Sequence, residues 1–495
     1  MRKSILTIVC LLLLSGSAVC QEGQFDTIAQ APKISAFMRL HAPGAIDTSR
    51  RRNVMGWLFT DDPQYYHRAP FWVPMAKITL SNAVLLGLDR YVFNYDFSHV
   101  GFNSWKHNLD TGWVWDDDRF GENFFLHPYT GGGYFMDARS LGYDFWSSFP
   151  FAVFGSVMWE YFGETTPPSK NDVVNTPVNG TFIGEVAYRL TSNILDDHAT
   201  GSDRFWREFV VGLMSPSRFF SRVLTGKLWE VSDEPTLEKE PMDARLAIGS
   251  HIVNNGSDFA SGAVKFNANL MLDYGDPFDK EERAPFDHFK VWADVSNAYG
   301  RKYLDNVTGY GLLWGGNHNF GNLETLLGVF QHFDYWDNNT FELGDVAFGL
   351  GAITKLPITS VHNLYSNLHA SFIPMAGNST TFGPIDTTQT RDYNFGDGVQ
   401  LMTETGFSLF NNLVDVSGIA YYIYFHSYYG QPGNNSIVLL KPRIAINLME
   451  HLGVGFEHQI YLSDRTSPTL AGVSLKRTEQ KIFVQWNWND FPHGQ

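Results

Sequence analysis

Four ionisable residues in the first half of the chain lie on segments that are otherwise strongly apolar: His127, Arg139, Glu160 and Glu164. Histidine titrates near neutral pH, so His127 could act as a general base or a metal ligand. Glu160 and Glu164 are four residues apart and would share one face of a helix. Repulsion and burial raise the pKa of at least one member of such a pair, as acid–base chemistry requires. We therefore take these four residues as the candidate catalytic residues.

Each candidate also has a structural interpretation. The proline after His127 favours an extended or turn conformation there, so the imidazole could pin a turn by bonding to the backbone. His127 has no partner at the spacing of a metal motif, and the sequence predicts neither a metal site nor a cofactor. Glu160 and Glu164 could be solvated carboxylates, or could pair with Arg139 or Arg189. The sequence leaves catalysis and packing open.

Neighbouring motifs are explained without chemistry. The segment after Glu164 has a capping box, Ser-x-x-Asp, from Ser169, which predicts a helix start. Farther along it has a Gly-x-x-x-Gly spacing from Gly180, which permits close helix contact, and an i,i+4 ion pair from Glu185. The acidic run 116–118 lacks the spacing of a calcium loop and is expected to be solvated. No hydrolase elbow, zinc-protease motif or phosphate loop occurs.

The first 20 residues have the three parts of a secretory signal: a basic start, an apolar stretch over residues 5–14 and a small-residue exit. We expect cleavage near Cys20. Lipidation of that cysteine is the alternative, and the bulky Val19 before it argues against this. Cys10 and Cys20 are the only cysteines, so the mature chain would have none. That excludes disulfides, thiolate metal sites and thiol nucleophiles.

The composition restricts the class of protein. Removal of the two basic residues of the signal changes the formal net charge from −16 to −18, which argues against a nucleic-acid partner. Aromatic residues make up 15% of the chain and charged residues only 18%, which is unusual for a soluble protein. No later segment approaches 18 uninterrupted apolar residues. An exported chain of this kind can enter a membrane as a closed barrel.

The second half of the chain has the pattern of a barrel. In residues 264–274, apolar side chains alternate with Lys265, Asn267, Asn269 and Asp273, so one strand face suits lipid and the other water. The connection at 275–285 is long on the side where short turns are expected. A soluble β-sandwich is the alternative, and the signal, the terminal aromatics and the long polar loops favour the barrel. We expect twelve strands, starting near residues 243, 263, 286, 306, 322, 341, 361, 397, 414, 436, 452 and 475.

The predicted fold class is an α+β membrane protein, with an N-terminal helical module followed by an antiparallel transmembrane β-barrel of about 12 strands. Apolar residues recur at helical spacing in 69–95, 133–141, 147–163, 171–196 and 203–226. We expect the module to sit beneath the barrel in the periplasm or to plug it partly. The predicted divisions are a signal peptide (1–20), an irregular segment (21–68), the helical domain (69–226), a linker (227–242) and the barrel (243–495).

The helical domain also has the residues of a family resemblance. It resembles an uncharacterised bacterial domain family with a His-Pro-Tyr motif, attached to outer-membrane barrels. The resemblance implies the same architecture, and the family has no established activity to carry over. The residues concerned are Glu122-Asn123, His127-Pro128-Tyr129, Gly133-Tyr134, Ala138-Arg139, Gly142, Gly155-Ser156, Trp159-Glu160, Glu164, Pro168-Ser169, Asn171-Asp172, Thr176, Gly180, Gly184-Glu185 and Tyr188-Arg189.

These observations predict an integral outer-membrane protein of a Gram-negative bacterium, with a structural, transport or envelope-maintenance role. The barrel and the module would form a gated or plugged pore in contact with outer-membrane lipid. The alternative is a membrane-embedded enzyme that acts on lipid or lipopolysaccharide through His127 with Glu160 or Glu164. A small molecule or a lipid is the expected ligand. The sequence specifies neither catalysis nor oligomeric state.

Overall fold

The computed structural model describes most of the chain after residue 67. The predicted signal peptide and nearly all of the irregular segment lie outside the described residues. So do parts of the linker and of several loops. The described ranges are 68–232, 239–256, 258–280, 283–297, 303–338, 342–359, 362–379, 393–410, 412–468 and 471–489.

Seven α-helices in the described residues form the helical module. The apolar segment predicted as one helix over 203–226 is two helices, because Ser215 accepts a hydrogen bond from the Arg218 backbone and Pro216 starts a new first turn. No helix in the described part of the chain is both long and apolar enough to cross a membrane. The helices are α1 (Trp72–Leu88), α2 (Phe102–Thr111), α3 (His127–Arg139), α4 (Phe145–Phe162), α5 (Asp172–Ile194), α6 (Gly201–Met214) and α7 (Pro216–Leu224).

Twelve antiparallel strands follow and close into one barrel, in which β1 pairs with both β2 and β12. The prediction of a helical module followed by a barrel of about 12 strands is confirmed, and every predicted strand start lies within four residues of the observed one. The strands are β1 (Met242–Asn255), β2 (Val264–Tyr274), β3 (Phe289–Ser296), β4 (Leu304–Asn317), β5 (Glu324–Asp337), β6 (Glu342–Thr359), β7 (His362–Ser379), β8 (Tyr393–Leu409), β9 (Val414–Tyr429), β10 (Gly433–Asn447), β11 (Leu452–Thr466) and β12 (Val473–Asn489).

The barrel has an apolar outer wall and a mostly polar lumen, as a transmembrane barrel does. On β12, Ile482, Trp486 and Trp488 are exposed on the outside of the barrel. Lys481 and Gln485, which alternate with them along the strand, are buried inside. The same alternation runs through the neighbouring strands in register, because paired residues of an antiparallel sheet point to the same face. The predicted division of β2 into a lipid face and a wet face agrees with this register.

The two rims of the barrel differ in their connections. We call the rim at Met242 and Asn489 the short-turn end, because the connections 360–361, 410–413 and 448–451 lie there. The opposite rim, which has the 380–392 loop, is the long-loop end. The 275–288 connection lies at the short-turn end and is the exception that the sequence indicated. Near its end, Phe286 packs against the outward face of β4 at Gly311.

The helical module packs against the outer wall of the barrel, over strands β3 to β8. The Phe182 ring on α5 stacks on Phe333, with ring centroids 5.6 Å apart. The side-chain amide of Gln331 donates to the Val178 carbonyl over 2.8 Å. Phe333 and Gln331 face outward, because the alternate residues His332 and Asp334 line the lumen. The expectation that the module lies beneath the barrel or plugs it is therefore wrong.

Glycines on the outer wall make this contact possible. A Cβ atom added at Gly344 would lie 2.7 Å from Cβ of Phe124, and one added at Gly377 would lie 2.2 Å from the same ring. At Gly311 an added Cβ would meet the Phe286 ring at 2.3 Å. Any larger side chain would collide at these positions. Glycine therefore leaves the space on the outer wall that the aromatic rings occupy.

Glycines also hold the two central helices of the module together. A Cβ atom added at Gly180 on α5 would lie 2.5 Å from the carbonyl carbon of Gly131 on α3, and one at Gly184 would lie 2.8 Å from the Gly132 oxygen. The Gly-x-x-x-Gly spacing was predicted to allow such an approach, and this is confirmed. The contact fixes α3 against α5 and so positions the polar residues at their ends.

Candidate functional site

His127 is the first residue of α3 and lies at the end of the module nearest the long-loop end of the barrel. Its backbone is helical, with φ −62° and ψ −48°. The extended or turn conformation predicted for it is therefore wrong. A π-helical turn, Glu122–Leu126, leads directly into α3, and Pro128 is tolerated because a first helical turn needs no donor at that position.

Carboxylates surround the imidazole of His127. Its Nε2 lies 3.6 Å from Oδ2 of Asp118 and 3.9 Å from Oδ2 of Asp172. Glu160 and Glu164 also act electrostatically on the ring. The His127 side chain is 18% exposed and Asp118 is 50% exposed, so the group can be reached from outside. We call His127 and these four acids the His127 cluster.

Asp116 supports the cluster from behind. It accepts hydrogen bonds from the side chains of Ser169, of Asn171 over 2.6 Å and of Asn123 over 2.9 Å. Burial would raise the pKa of Asp116, but these bonds and one from Asp172 outweigh it and lower the pKa to about 2. Asp116 was predicted to be part of a solvated acidic loop, which is wrong.

Ser169 has the capping role that the sequence predicts, because its Oγ accepts from the Asp172 backbone over 3.2 Å. The carboxyl of Asp172 turns instead toward His127. Sequence reasoning assigned Ser169 and Asp172 to capping alone and missed their place beside the candidate histidine. The signal that could have found them is the polar run 169–172 before a strongly helical segment.

Glu160 and Glu164 lie beside the cluster in different environments. Glu160 is 3% exposed and accepts from the Ser169 backbone N–H over 2.7 Å. Glu164 follows the end of α4 and accepts from the Trp159 indole over 2.6 Å and from the Thr166 hydroxyl over 2.9 Å. Burial, with the charge of Glu164, raises the pKa of Glu160 to about 8. Burial also raises the pKa of Glu164.

The groups of the cluster shift one another's pKa values. Burial acts to lower the pKa of His127, but the charge of Asp172 and the polar contact with Asp118 outweigh it and raise that pKa well above its usual range. Burial raises the pKa of Asp172 well above its usual range. Protons are therefore shared between the imidazole and the neighbouring carboxyl groups, and such a set of groups can exchange a proton with a bound group. Within the described ranges, no three His, Cys, Asp or Glu side chains are arranged to hold a metal ion.

Arg139 lies elsewhere. It is twelve residues from His127 on α3, which corresponds to about 18 Å along the helix. Its guanidinium donates to Glu185 over 2.8 and 3.1 Å and stacks on Tyr188, and Glu185 also pairs with Arg189 at 2.8 Å. The predicted Glu185–Arg189 pair is confirmed, whereas a pairing of Arg139 or Arg189 with the glutamates is wrong. Of the four candidates, three interact and Arg139 is separate.

The lumen is the second polar region of the molecule, and side chains from nearly opposite walls meet across it. Lys290 on β3 lies 2.7 Å from Glu404 on β8. Asp294 on β3 lies 3.1 Å from Lys481 on β12 and 3.8 Å from Lys441 on β10. Aromatic rings add further bridges, such as Trp336 on β5 against Tyr421 on β9. These contacts bridge the lumen with the barrel's own side chains.

Comparison with known proteins finds one matching domain family and a group of similar solved structures. Residues 112–217, which include the His127 cluster and Arg139, match the model of a family described as "Domain of unknown function (DUF3943)". The match spans a limited part of the chain, as does the resemblance noted from the sequence. None of the curated protein sequences matches this chain.

Solved structures similar to this chain are outer-membrane barrels. The NanC porin shares 10% identity with a TM-score of 0.26, over 50% of this chain and 98% of its own. OmpT of Vibrio cholerae shares 8% identity with a TM-score of 0.23, over 50% and 96%. An anion-selective porin from Comamonas acidovorans shares 9% identity with a TM-score of 0.23, over 50% and 98%.

Proposed function

We propose that this protein is an integral outer-membrane protein with an envelope-maintenance role, in which a closed barrel holds the helical module at its outer wall. The observation that carries the proposal is the set of ion pairs across the lumen, of which Lys290–Glu404 is the shortest at 2.7 Å. An open diffusion pore needs a continuous aqueous passage, and we expect the bridges between nearly opposite strands to interrupt it.

The membrane location is supported by the free part of the outer wall. From β9 through β12 the outward side chains are apolar or aromatic and exposed, including Tyr422, Leu440, Ile444, Ile482 and Trp486. In water, so large an apolar surface would favour association, whereas lipid covers it without cost. The module replaces lipid over part of β3 to β8, where outward residues such as Phe289 and Phe333 are buried, whereas Leu350 and Phe372 on the same group of strands stay exposed.

The barrel differs from the gated or plugged pore that the sequence predicted. Its own side chains bridge the lumen, so the module is not required as a plug. The module instead presents the His127 cluster outside the barrel, at the end near the long loops. We propose that this cluster is the functional centre of the module. Catalysis by His127, Glu160 and Glu164 stays a prediction, and Arg139 acts as a buried structural residue.

Two measurements on the full chain test this function. Fractionation should recover the protein in the outer membrane, and the folded form should migrate faster on gels than the boiled form. In planar bilayers the same preparation should give no sustained open-channel steps, because the lumen bridges persist. Stable porin-sized steps would contradict the closed barrel, and recovery in the soluble periplasm would contradict the membrane location.

The role in the envelope is tested in cells. Cells without the protein should lose resistance to detergents, and the wild-type gene should restore it. Glu160→Gln should reach normal abundance and restore less, because the amide cannot exchange a proton. Asp110→Asn, which changes an exposed carboxylate on α2, should restore fully. Full restoration by Glu160→Gln at normal abundance would contradict a role for the cluster.

A further inference from the structure

A cavity of about 330 Å³ opens inside the barrel at the short-turn end, apart from the His127 cluster. The Lys290–Glu404 bridge is part of its lining. Its volume is in the range of pockets that bind small molecules. Its other polar lining residues include Arg245, Asp273 and Asn367, which are not fully used by contacts within the protein.

Arg245 supplies an uncompensated positive charge. Its only hydrogen bond among the described residues goes to the sulfur of Met271, over 2.8 Å. Within the described ranges, no carboxylate lies within 4.0 Å of its guanidinium. A guanidinium stays charged at any physiological pH and has five N–H donors. A carboxylate matches the guanidinium, because its two oxygens can accept two parallel N–H hydrogen bonds.

Three acceptor atoms around the same cavity have no hydrogen-bond partner. His288 Nδ1 lies 2.8 Å from the Gly275 carbonyl and must carry the proton, so in the neutral ring Nε2 is left as a free acceptor. Asn367 donates to the Tyr310 hydroxyl, and its Oδ1 receives nothing. Oδ1 of Asp273 also accepts no hydrogen bond. His288 and Asn367 are 1% and 4% exposed, so the lack of partners is costly unless a ligand or water supplies donors.

Arg245 and one of the three acceptors, Asp273, lie on neighbouring strands, whereas Asn367 lines the cavity from β7. Arg245 is opposite Met271 and Asp243 is opposite Asp273, so Arg245 and Asp273 are diagonal neighbours on the lumen face of β1 and β2. Diagonal positions are about 7–8 Å apart. A ligand between them would need a negative group at one side and N–H donors at the other, over the length of one small molecule.

We propose that this cavity binds a small zwitterion of amino-acid size. Its carboxylate pairs with Arg245, and its ammonium donates to Asp273 and to the acceptors of His288 and Asn367. The proposal does not rest on the envelope role, because binding can be measured on the purified protein in detergent. Failure of ligand binding would leave the membrane location and the closed lumen unaffected.

The test measures binding of L-alanine to the full chain in detergent micelles by titration calorimetry. We expect saturable binding. Acetate and methylammonium carry one charge each, and glycine betaine has no N–H donor, so all three should bind at least about ten-fold more weakly. Arg245→Met should weaken L-alanine binding at least about ten-fold, or about 1.4 kcal/mol. Arg465→Met, near the long-loop end of β11, is the matched control and should bind normally.

Gel mobility before and after boiling confirms that each variant is folded. If Arg245→Met does not fold, Asp273→Asn takes its place and should also weaken binding about ten-fold. The proposal is overturned if the wild type does not bind L-alanine or if acetate or betaine binds as tightly. It is also overturned if the folded Arg245→Met or Asp273→Asn variant keeps full affinity, or if Arg465→Met loses as much.

Discussion

Glu160→Gln should make the stability of the helical module less dependent on pH. Burial and the charge of Glu164 raise the pKa of Glu160 from 4.5 to about 8. The folded state therefore holds this proton more tightly than the unfolded state does. The corresponding stabilisation is fully present below pH 4.5 and is lost as the pH rises toward 8. At 1.36 kcal/mol for each pH unit, the loss reaches at most about 5 kcal/mol.

The assay is urea unfolding of the purified full chain between pH 5 and 9, with amide hydrogen exchange of α3 and α4 reporting on the module. The wild type should lose stability steadily over this range, and the variant should lose several kcal/mol less. A residual slope should remain, because the raised pKa of His127 acts in the same direction. Asp110→Asn, at an exposed position, should keep the wild-type slope.

Two results would refute this reasoning. If the wild type and Glu160→Gln had the same pH dependence, Glu160 would not be protonated in the folded state. If the wild type became more stable between pH 5 and 8, the pKa of Glu160 would be lowered in the folded state rather than raised. Glu160 would then have to be an ionised, paired carboxylate. Either result would also remove the physical basis for proton exchange at the His127 cluster.

Two further substitutions test the packing of the barrel and the module. Ile482→Arg, at the exposed middle of β12, should destabilise the folded barrel by about 2–4 kcal/mol in urea unfolding. Ser474→Arg, near the rim, should destabilise it by only about 0–1 kcal/mol. Equal losses of stability would contradict an outward face that contacts lipid. Gly180→Ala should destabilise the module by several kcal/mol, because the added Cβ would lie 2.5 Å from the Gly131 backbone. Gly133→Ala should be tolerated, because the space beside Gly133 is open. Equal amide hydrogen exchange rates in α3 of the two variants would argue against the close contact between α3 and α5.

Strand alternation made the barrel predictable from the sequence. Each strand has a period of two, and residues such as Ile482, Val484 and Trp486 repeat it over a full membrane thickness, so the strand starts could be located closely. Helical spacing located most of the module, although the ten-residue α2 was missed. Its sequence, FNSWKHNLDT, is mostly polar and has only three apolar residues at helical spacing, Phe102, Trp105 and Leu109.

The position of the module could not be predicted, because lipid and an apolar helix select the same residues. Phe289, Val291 and Val295 alternate as lipid-facing residues would, yet all three pack with the module. The glycines that receive aromatic rings, such as Gly344, look like ordinary barrel residues in sequence. Only the three-dimensional pairing of β5, β6 and β7 separates a helix-covered wall from a lipid-covered one.

The candidate site was predictable in part. His127, Glu160 and Glu164 were identified because charged residues in apolar segments must be paired or protonated. Arg139 satisfied the same criterion and belongs to a different buried network with Glu185. Spacing along a helix does not show whether Arg139 pairs with Glu160 or with Glu185, because its partner depends on how α3 packs against α5.

The most direct test of the account is a disulfide between the module and the outer wall of the barrel. The mature chain is expected to contain no cysteine, and the ideal Cβ positions of Phe124 and Gly344 are close enough that slight relaxation allows a disulfide. Oxidation of outer membranes containing Phe124→Cys with Gly344→Cys should cross-link the two sites in most molecules. Phe124→Cys with Leu343→Cys, whose side chain is in the lumen, should not cross-link. Cross-linking at Leu343 and none at Gly344 would place the module inside the barrel and contradict the account.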